Sequence, residues 1–267
     1  MFIYFRMEEL WSLLLLAFIG FIAGIINIVA GGGSLLTLPM LIFLGLPPNM
    51  ANGTNRIAII IQNIFAVKGF QSKGVRTFPF SIYLAIPATM GAIIGAIVGV
   101  KIEGELFNKI LAIIMVVIVM YMILKPKTTT KETLERITGK HFWLGMLAFF
   151  LVGLYGGFIQ AGVGFIMLLA LSSIHHISLV KSNAIKVFVA LVYSLAAVAI
   201  FAYNGMIDWK YGLVLSLGNA SGGWLMSRYS VKKGDRFVQV FLIVMVIFMA
   251  LKLWFKIDLS NVFNSFN

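Results

Sequence analysis

Two basic residues, Arg56 and Lys186, lie inside long apolar stretches of this chain. A buried cation is strongly unfavourable unless partners surround it. Each is therefore either part of an anion site or a long side chain reaching back to water. Arg56 sits in a polar stripe. Asn52, Thr54 and Asn55 precede it, and Gln62 and Asn63 follow. Positions 52, 55, 56, 59 and 63 share one face of a helix. Asn183, Lys186 and Ser194 form a second stripe of the same kind. Amide donors beside a cation suit an anion.

Two glycine clusters add complementary chemistry: Gly31, Gly32 and Gly33, and Gly162 and Gly164 around Val163. A helix starting after such a turn, at Ser34 or at Phe165, points unpaired N–H groups and a partial positive charge at its mouth. Gly lets a ligand approach the backbone and permits positive φ. Gln160 sets an amide beside the second cluster. Close helix packing is the alternative reading of membrane glycines. The recurrence of a cluster before each amide-and-cation helix favours an anion site.

Acids are placed very differently. Glu8, Glu9, Glu103, Glu105, Glu132, Glu135, Asp208, Asp235 and Asp258 all fall in termini, loops or segment ends. A cation pump or proton relay usually needs a carboxylate inside the bundle, so a cation or metal permease is disfavoured. There is no Cys, and no nucleophile–base pair, P-loop or zinc ligand set. No catalytic residue, cofactor or metal is expected. His175 and His176 read as the end of a short helix, with a proton-coupling role as the alternative.

The elements that position these residues follow from composition. Of 267 residues, 61% are apolar and 11% charged, and mean hydropathy is +1.01. Soluble domains are about half apolar and a quarter charged. That excludes a soluble enzyme, a secreted module and a disordered chain. The net charge of +12 reads as membrane topology rather than a nucleic-acid surface. Long apolar runs cover 10–30, 51–70, 78–100, 105–124, 142–160, 182–203, 210–227 and 237–255, near the roughly 20 residues that span a bilayer. The first run lacks a cleavage signal and reads as retained. Runs 34–46 and 165–177, each following a glycine cluster, are too short and read as short or re-entrant helices. Irregular backbone at membrane depth requires cover by protein or a wet cavity. Trp11, Trp143, Trp209 and Trp254 mark segment ends as interfacial anchors.

The halves repeat at a constant spacing of 131 residues, without a gap. Ala30, Gly31 and Gly33 match Ala161, Gly162 and Gly164; Asn52 matches Asn183; Gly74 matches Gly205; Gly91 matches Gly222; Lys101 matches Lys232. Equivalent loops carry opposite charge patterns. Lys68, Lys73 and Arg76 face a counterpart with only Asp208 and Lys210. Lys101, against Glu103 and Glu105, faces one with Arg228, Lys232, Lys233 and Arg236 against Asp235. Since cytoplasmic loops favour Lys and Arg, the second copy is expected to be inverted, with five crossings or partial crossings per half and external termini. The division is 1–124 as first transmembrane repeat, 125–141 as cytoplasmic linker, 142–256 as second repeat and 257–267 as polar tail. Inverted repeats with interrupted helices are a common build for secondary transporters.

The most specific stretch is GIINIVAGGGSLLTLPMLIFLGLPPNMANGTNRIA, Gly24 to Ala58. A second copy runs from Gly153 through GGFIQAGVGFIMLLAL to KSNAIK, ending at Lys186. Over about residues 10–256 the chain resembles the TauE/SafE sulfite exporter family, also called the toluene sulfonate uptake permease family. Gly31, Gly32, Gly33 and Pro39, then Asn52, Gly53 and Thr54, carry the resemblance in the first half, and Gly162 and Gly164 in the second. Val163 interrupts the second glycine cluster, and Ala170 stands where the pattern has Pro. The resemblance implies a multi-pass transporter of a bacterial or archaeal plasma membrane, moving sulfite, sulfoacetate or other organosulfonates.

The expected protein is thus an all-α integral membrane protein. It is a polytopic helical bundle of two inverted repeats, each with a glycine-broken short or re-entrant helix. It moves a small anion by alternating access, and a coupling proton or ion joins the lipid bilayer as an expected partner. The expected substrate-binding residues are Gly31, Gly32, Gly33, Ser34, Asn52, Thr54, Asn55, Arg56, Asn63, Gln160, Gly162, Gly164, Asn183 and Lys186. An anion channel or a membrane-embedded sensor is the alternative.

Overall fold

Glycine turns and proline-started helices divide the chain. The computed structural model describes residues 2–124 and 135–229, and these form nine helices and no strand. They are α1 (Phe2–Ala30), α2 (Ser34–Phe43), α3 (Pro48–Gln71), α4 (Phe80–Gly99), α5 (Gly104–Leu124), α6 (Gly139–Phe158), α7 (Val163–Ile174), α8 (Leu179–Tyr203) and α9 (Trp209–Tyr229). The run 237–255, Trp254, the tail and most of the linker lie outside the described residues. Four of these helices are long and apolar enough to cross a membrane: α1 from Leu10, α4, α6 and α8. Their outer faces expose Leu14, Phe18, Ile86, Met90, Leu147 and Leu151, side chains that water would not leave uncovered in such a band but lipid does. Trp11, Trp143 and Trp209 are exposed near helix starts, as interfacial anchors should be. Trp224 stacks edge-on with Phe65 and lies under the Arg228 guanidinium.

Two hairpins frame the centre. Gly31 takes a left-handed conformation, φ 76°, and turns the chain back after α1. Leu16 of α1 then packs in one cluster with Met40 and Leu41 of α2, so the two helices run antiparallel. Gly162 does the same after α6 with φ 68°. It lets α7 begin at Val163, two residues before the Phe165 start expected from sequence. At the hairpin's far end Gly145 of α6 packs on the His175 ring. Helix α6 also begins at Gly139, inside the stretch read as linker.

Glycines set the other helix directions because they allow backbones to touch. Gly153 and Gly157 of α6 lie on Ala88 and Ala92 of α4, and Gly218 and Gly222 of α9 lie on Ala17 and Phe21 of α1. Each pair is parallel. Thr54 and Gly69 of α3 meet Asp208 and Ser227 at the two ends of α9, also parallel. Phe78 meets Phe188 and Gly99 meets Phe201 along α4 and α8. Thus α1, α3 and α9 point one way and α4, α6 and α8 the other. Helices α3 and α8 cross the middle antiparallel, Gly53 beside Phe201 and Phe70 beside Ala184 and Val187. Exchanging α1, α3 and α4 for α6, α8 and α9 converts the α1–α9 and α3–α9 packings into α6–α4 and α8–α4, which also exist.

This packing leaves no space for a side chain. A Cβ on Gly218 would sit 2.7 Å from the Phe21 nitrogen. Gly218→Val should cost about 1–3 kcal/mol by overpacking, read as a lower thermal transition in detergent. Leu217→Val, at a position 72% exposed, should leave the transition nearly unchanged.

Candidate functional site

Asn52, Asn55, Arg56 and Asn63 fall on the inner face of α3 because that face meets α8 and the two hairpin tips. Arg56 is fully buried and Lys186 is 2% exposed, so neither reaches water as a snorkelling side chain would. Arg56 of α3 donates to the carbonyls of Gly156 (2.9 Å) and Gly157 (2.6 Å) near the C-terminus of α6. It also reaches the Gln160 side-chain oxygen (3.0 Å) and Asn52 Oδ1 (3.3 Å). Lys186 of α8 donates to the carbonyls of Asn27 (2.6 Å) and Ile28 (3.1 Å) near the C-terminus of α1, and to Asn183 Oδ1 (2.6 Å). Each cation thus comes from one half of the chain and caps the long helix that leads into the hairpin of the other. A helix C-terminus has unpaired carbonyls and partial negative charge, and a cation there satisfies both.

The hairpin tips meet. Gly31 packs backbone to backbone on Gly164 and Phe165, and a Cβ on Gly164 would stand 2.7 Å from the Gly31 Cα. Neither α2 nor α7 has a side-chain cap at its N-terminus, so the first N–H groups of both helices depend on other partners. Beside the tips is a cavity of about 20 Å³, bordered by Asn27, Ser34, Asn63, Gln160, Lys186 and Tyr193. That holds about one water. The arrangement is an occluded centre.

Of the residues expected from sequence, Gly31, Ser34, Asn63, Gln160, Gly164 and Lys186 border this cavity. Asn52, Arg56 and Asn183 stand behind it. Asn52 Nδ2 donates to the Phe158 carbonyl (2.7 Å), and Asn183 holds Lys186. Asn55 accepts from Thr37 Oγ1 (2.6 Å). Thr54 lies apart from the cavity: its hydroxyl accepts the Asp208 N–H (2.8 Å) and ties down the α8–α9 loop. Gly32 and Gly33 are buried within the first turn and Gly162 within the second. Gly33 packs on α1 beside Asn27.

Sequence reading missed Asn27 and Tyr193. Tyr193 Oη accepts from Gln160 Nε2 (2.9 Å), linking α8 to the second hairpin. Its position matches Gln62 at the same spacing of 131, a signal that was available. Four buried donor-bearing groups on α3 remain without a partner: Asn55 Nδ2, Arg56 Nε, the Gln62 amide and Asn63 Nδ2. Unsatisfied buried donors are rare and call for an explanation. His175, by contrast, ends α7, with Nδ1 2.8 Å from the Arg136 carbonyl and the ring edge-on to Phe80, a packing role. No cluster of His, Cys or carboxylates able to hold a metal occurs among the described residues, and none of the acids described there is buried.

A family model described as sulfite exporter TauE/SafE matches residues 16–253. A probable membrane transporter protein, ORF9, of a Sinorhizobium species is 28% identical over 242 residues, covering 90% of this chain and 92% of that one. A probable membrane transporter protein of Haemophilus influenzae is 29% identical over 235 residues, 88% and 91% of the two chains. The probable membrane transporter protein YfcA of Escherichia coli K12 is 26% identical over 238 residues, 89% and 88%. No solved structure matches. Full-length similarity to membrane transporters, together with a glycine-hinged helical bundle, places this polytopic chain in the TauE/SafE sulfite exporter family.

Proposed function

We propose that the protein is a secondary transporter of small anions, with sulfite, sulfoacetate and other organosulfonates as its substrate class, working by alternating access in the cell membrane. One observation carries the reading: the centre of the bundle holds two buried cations and several unpartnered donors, but no carboxylate among the described residues. Such a place favours negative charge and repels nothing that carries it. A desolvated anion needs several donors at once, and Asn55, Arg56 and Asn63 have donors to give.

The two halves act as inverted repeats in this reading. The antiparallel course of α3 and α8 and the exchangeable packing of the halves support it. So does charge: Lys68, Lys73, Arg76, Arg136, Lys181 and Arg228 gather at the end where Phe80 meets His175 and Tyr83 meets Phe142, which supports reading that end as cytoplasmic. The cations are already engaged by helix carbonyls, so an arriving anion competes for the same N–H groups. Occupation weakens the hold of α3 and α8 on the opposite hairpins, and the hairpins can then move.

Purified protein should bind sulfite and sulfoacetate more tightly than chloride, measured by titration calorimetry. Asn63→Ala removes one donor to a charged ligand, worth about 1.5–3 kcal/mol, and should weaken sulfite binding about tenfold or more. Proteoliposomes should show counterflow, with internal sulfite speeding uptake. Uptake without trans-stimulation would identify a channel instead, and equal binding of sulfite by wild type and Asn63→Ala would remove Asn63 from the site.

A further inference from the structure

We infer that Phe70 and Phe201 are a matched pair of gates, one at each end of the central cavity, and that the cytoplasmic gate is the thin one in this conformation. The inference rests on the transport reading above and assigns the barriers that this reading requires. Phe70 and Phe201 stand 131 residues apart, in the register of the internal repeat. Around them Ala66, Val67 and Gly74 recur as Ala197, Val198 and Gly205. The two helix ends are built alike. Gly74 and Gly205 are both left-handed, φ 76° and 68°, and the Val75 and Met206 N–H groups return to the carbonyls of Phe70 and Phe201 at 3.2 and 2.9 Å. Both rings are buried, at 1% and 0% exposure.

What surrounds the two rings differs. Beyond Phe70 lies a vestibule of about 210 Å³ that is partly open to the outside, lined by Val67, Val75, Arg76, Phe78 and Phe188 as well as Phe70 itself. Behind Phe70 stand Ile28, Ala184 and Val187, and Val187 already borders the central cavity. A single layer of side chains therefore divides vestibule from cavity. At the other end the matching space is filled. Gly53 replaces the equivalent Ala184, so the Met206 carbonyl drops onto α3 and the Phe201 ring approaches to 2.9 Å of a Cβ built there. Ile207, buried, replaces exposed Arg76. The Asp208 N–H is fastened to Thr54, and Phe201 lies 4.7 Å from the Arg56 guanidinium. Phe201 is thus tied to the cation that caps α6, whereas Phe70 touches neither Arg56 nor Lys186 through any such contact among the described residues.

The chain has no Cys, so a single introduced thiol reports access cleanly. Ala190→Cys places one at the cavity, and Lys73→Cys, in the exposed turn, reports which vesicle preparation presents that face. The reagent is a membrane-impermeant methanethiosulfonate. Adding Phe70→Ala to Ala190→Cys should raise labelling at least tenfold from the Lys73 face alone. Adding Phe201→Ala should raise it from the opposite face alone, and by less. Phe70→Leu and Phe201→Leu keep most of the ring volume and should give the same sidedness at smaller amplitude, which carries the test if the Ala variants do not reach the membrane. Labelling unchanged by all four variants, or raised equally from both faces, overturns the gates. Sulfite counterflow in the same proteoliposomes separates the two readings. Sided labelling without sulfite flux keeps the gates and rejects the substrate; sulfite flux without sided labelling does the reverse.

Discussion

Arg56→Ala should abolish sulfite transport and also strip much of the protein's thermal stability, whereas Lys186→Met should do less to stability. Both variants strand buried acceptors, and the difference comes from the space that Ala leaves and Met fills. Without the guanidinium, the carbonyls of Gly156 and Gly157 and the side-chain oxygen of Gln160 lose their donor. A buried acceptor left unpaired costs about 1–3 kcal/mol, and native stabilities are typically only about 5–15 kcal/mol. Phe201 loses its cation as well. Lys186→Met strands two carbonyls and Asn183 Oδ1, but Met keeps the side-chain volume that Arg56→Ala gives up. Arg56→Lys separates fold from binding. An ammonium keeps the charge but has three donors in place of the planar fork, so stability should recover in part while sulfite affinity stays at least tenfold down. Thermal scans and calorimetric titration with sulfite on the three variants check this. Wild-type sulfite affinity in Arg56→Lys together with restored stability would make Arg56 a helix-capping residue and nothing more.

Much of the scaffold was legible in the sequence because the bilayer restricts the choices. Apolar run length located the long helices, the glycine cluster located the start of α2 to the residue, and the positions of the carboxylates emptied the core of negative charge. Polar side chains in apolar runs marked α3 and α8 as the inner pair. What stayed hidden depends on contacts between the halves. Nothing local to Arg56 says that it reaches Gly156, a hundred residues on, or that Lys186 reaches back to Asn27. Thr54 looked like a site residue because it sits between Asn52 and Arg56, yet helical geometry turns it from the cavity toward Asp208. Tyr193 resembled packing because an aromatic in an apolar helix usually is packing. Only its hydroxyl, set against Gln160, reveals otherwise. The start of α7 at Val163 was hidden for a smaller reason: a left-handed Gly162 allows a helix to begin directly after it.

Gly31→Ala and Gly164→Ala should each eliminate transport, and comparison with Gly45→Ala shows why. Gly31 combines two demands. Its φ of 76° costs an L side chain about 1–2 kcal/mol, and its Cβ would collide with the Gly164 and Phe165 backbone. Gly164 has no positive φ, so its substitution tests the collision alone, against the Gly31 Cα and carbonyl at 2.7 and 2.8 Å. Gly45 tests conformation alone: φ is 94° but nothing lies within 4 Å of the added carbon. Gly45→Ala should therefore lower the thermal transition modestly and leave transport rates near wild type. In Gly164→Ala the obstacle is backbone, which cannot rotate aside as a side chain can, so the hairpin tips must part. Parting them moves α1 and α6 relative to the cations that cap them, Lys186 and Arg56, and opens the cavity wall at Gln160. Loss of transport should thus accompany faster thiol labelling at Ala190→Cys in the Gly164→Ala background. If Gly164→Ala transports sulfite at the wild-type rate, the tips are not a fixed contact, and the occluded centre does not depend on them.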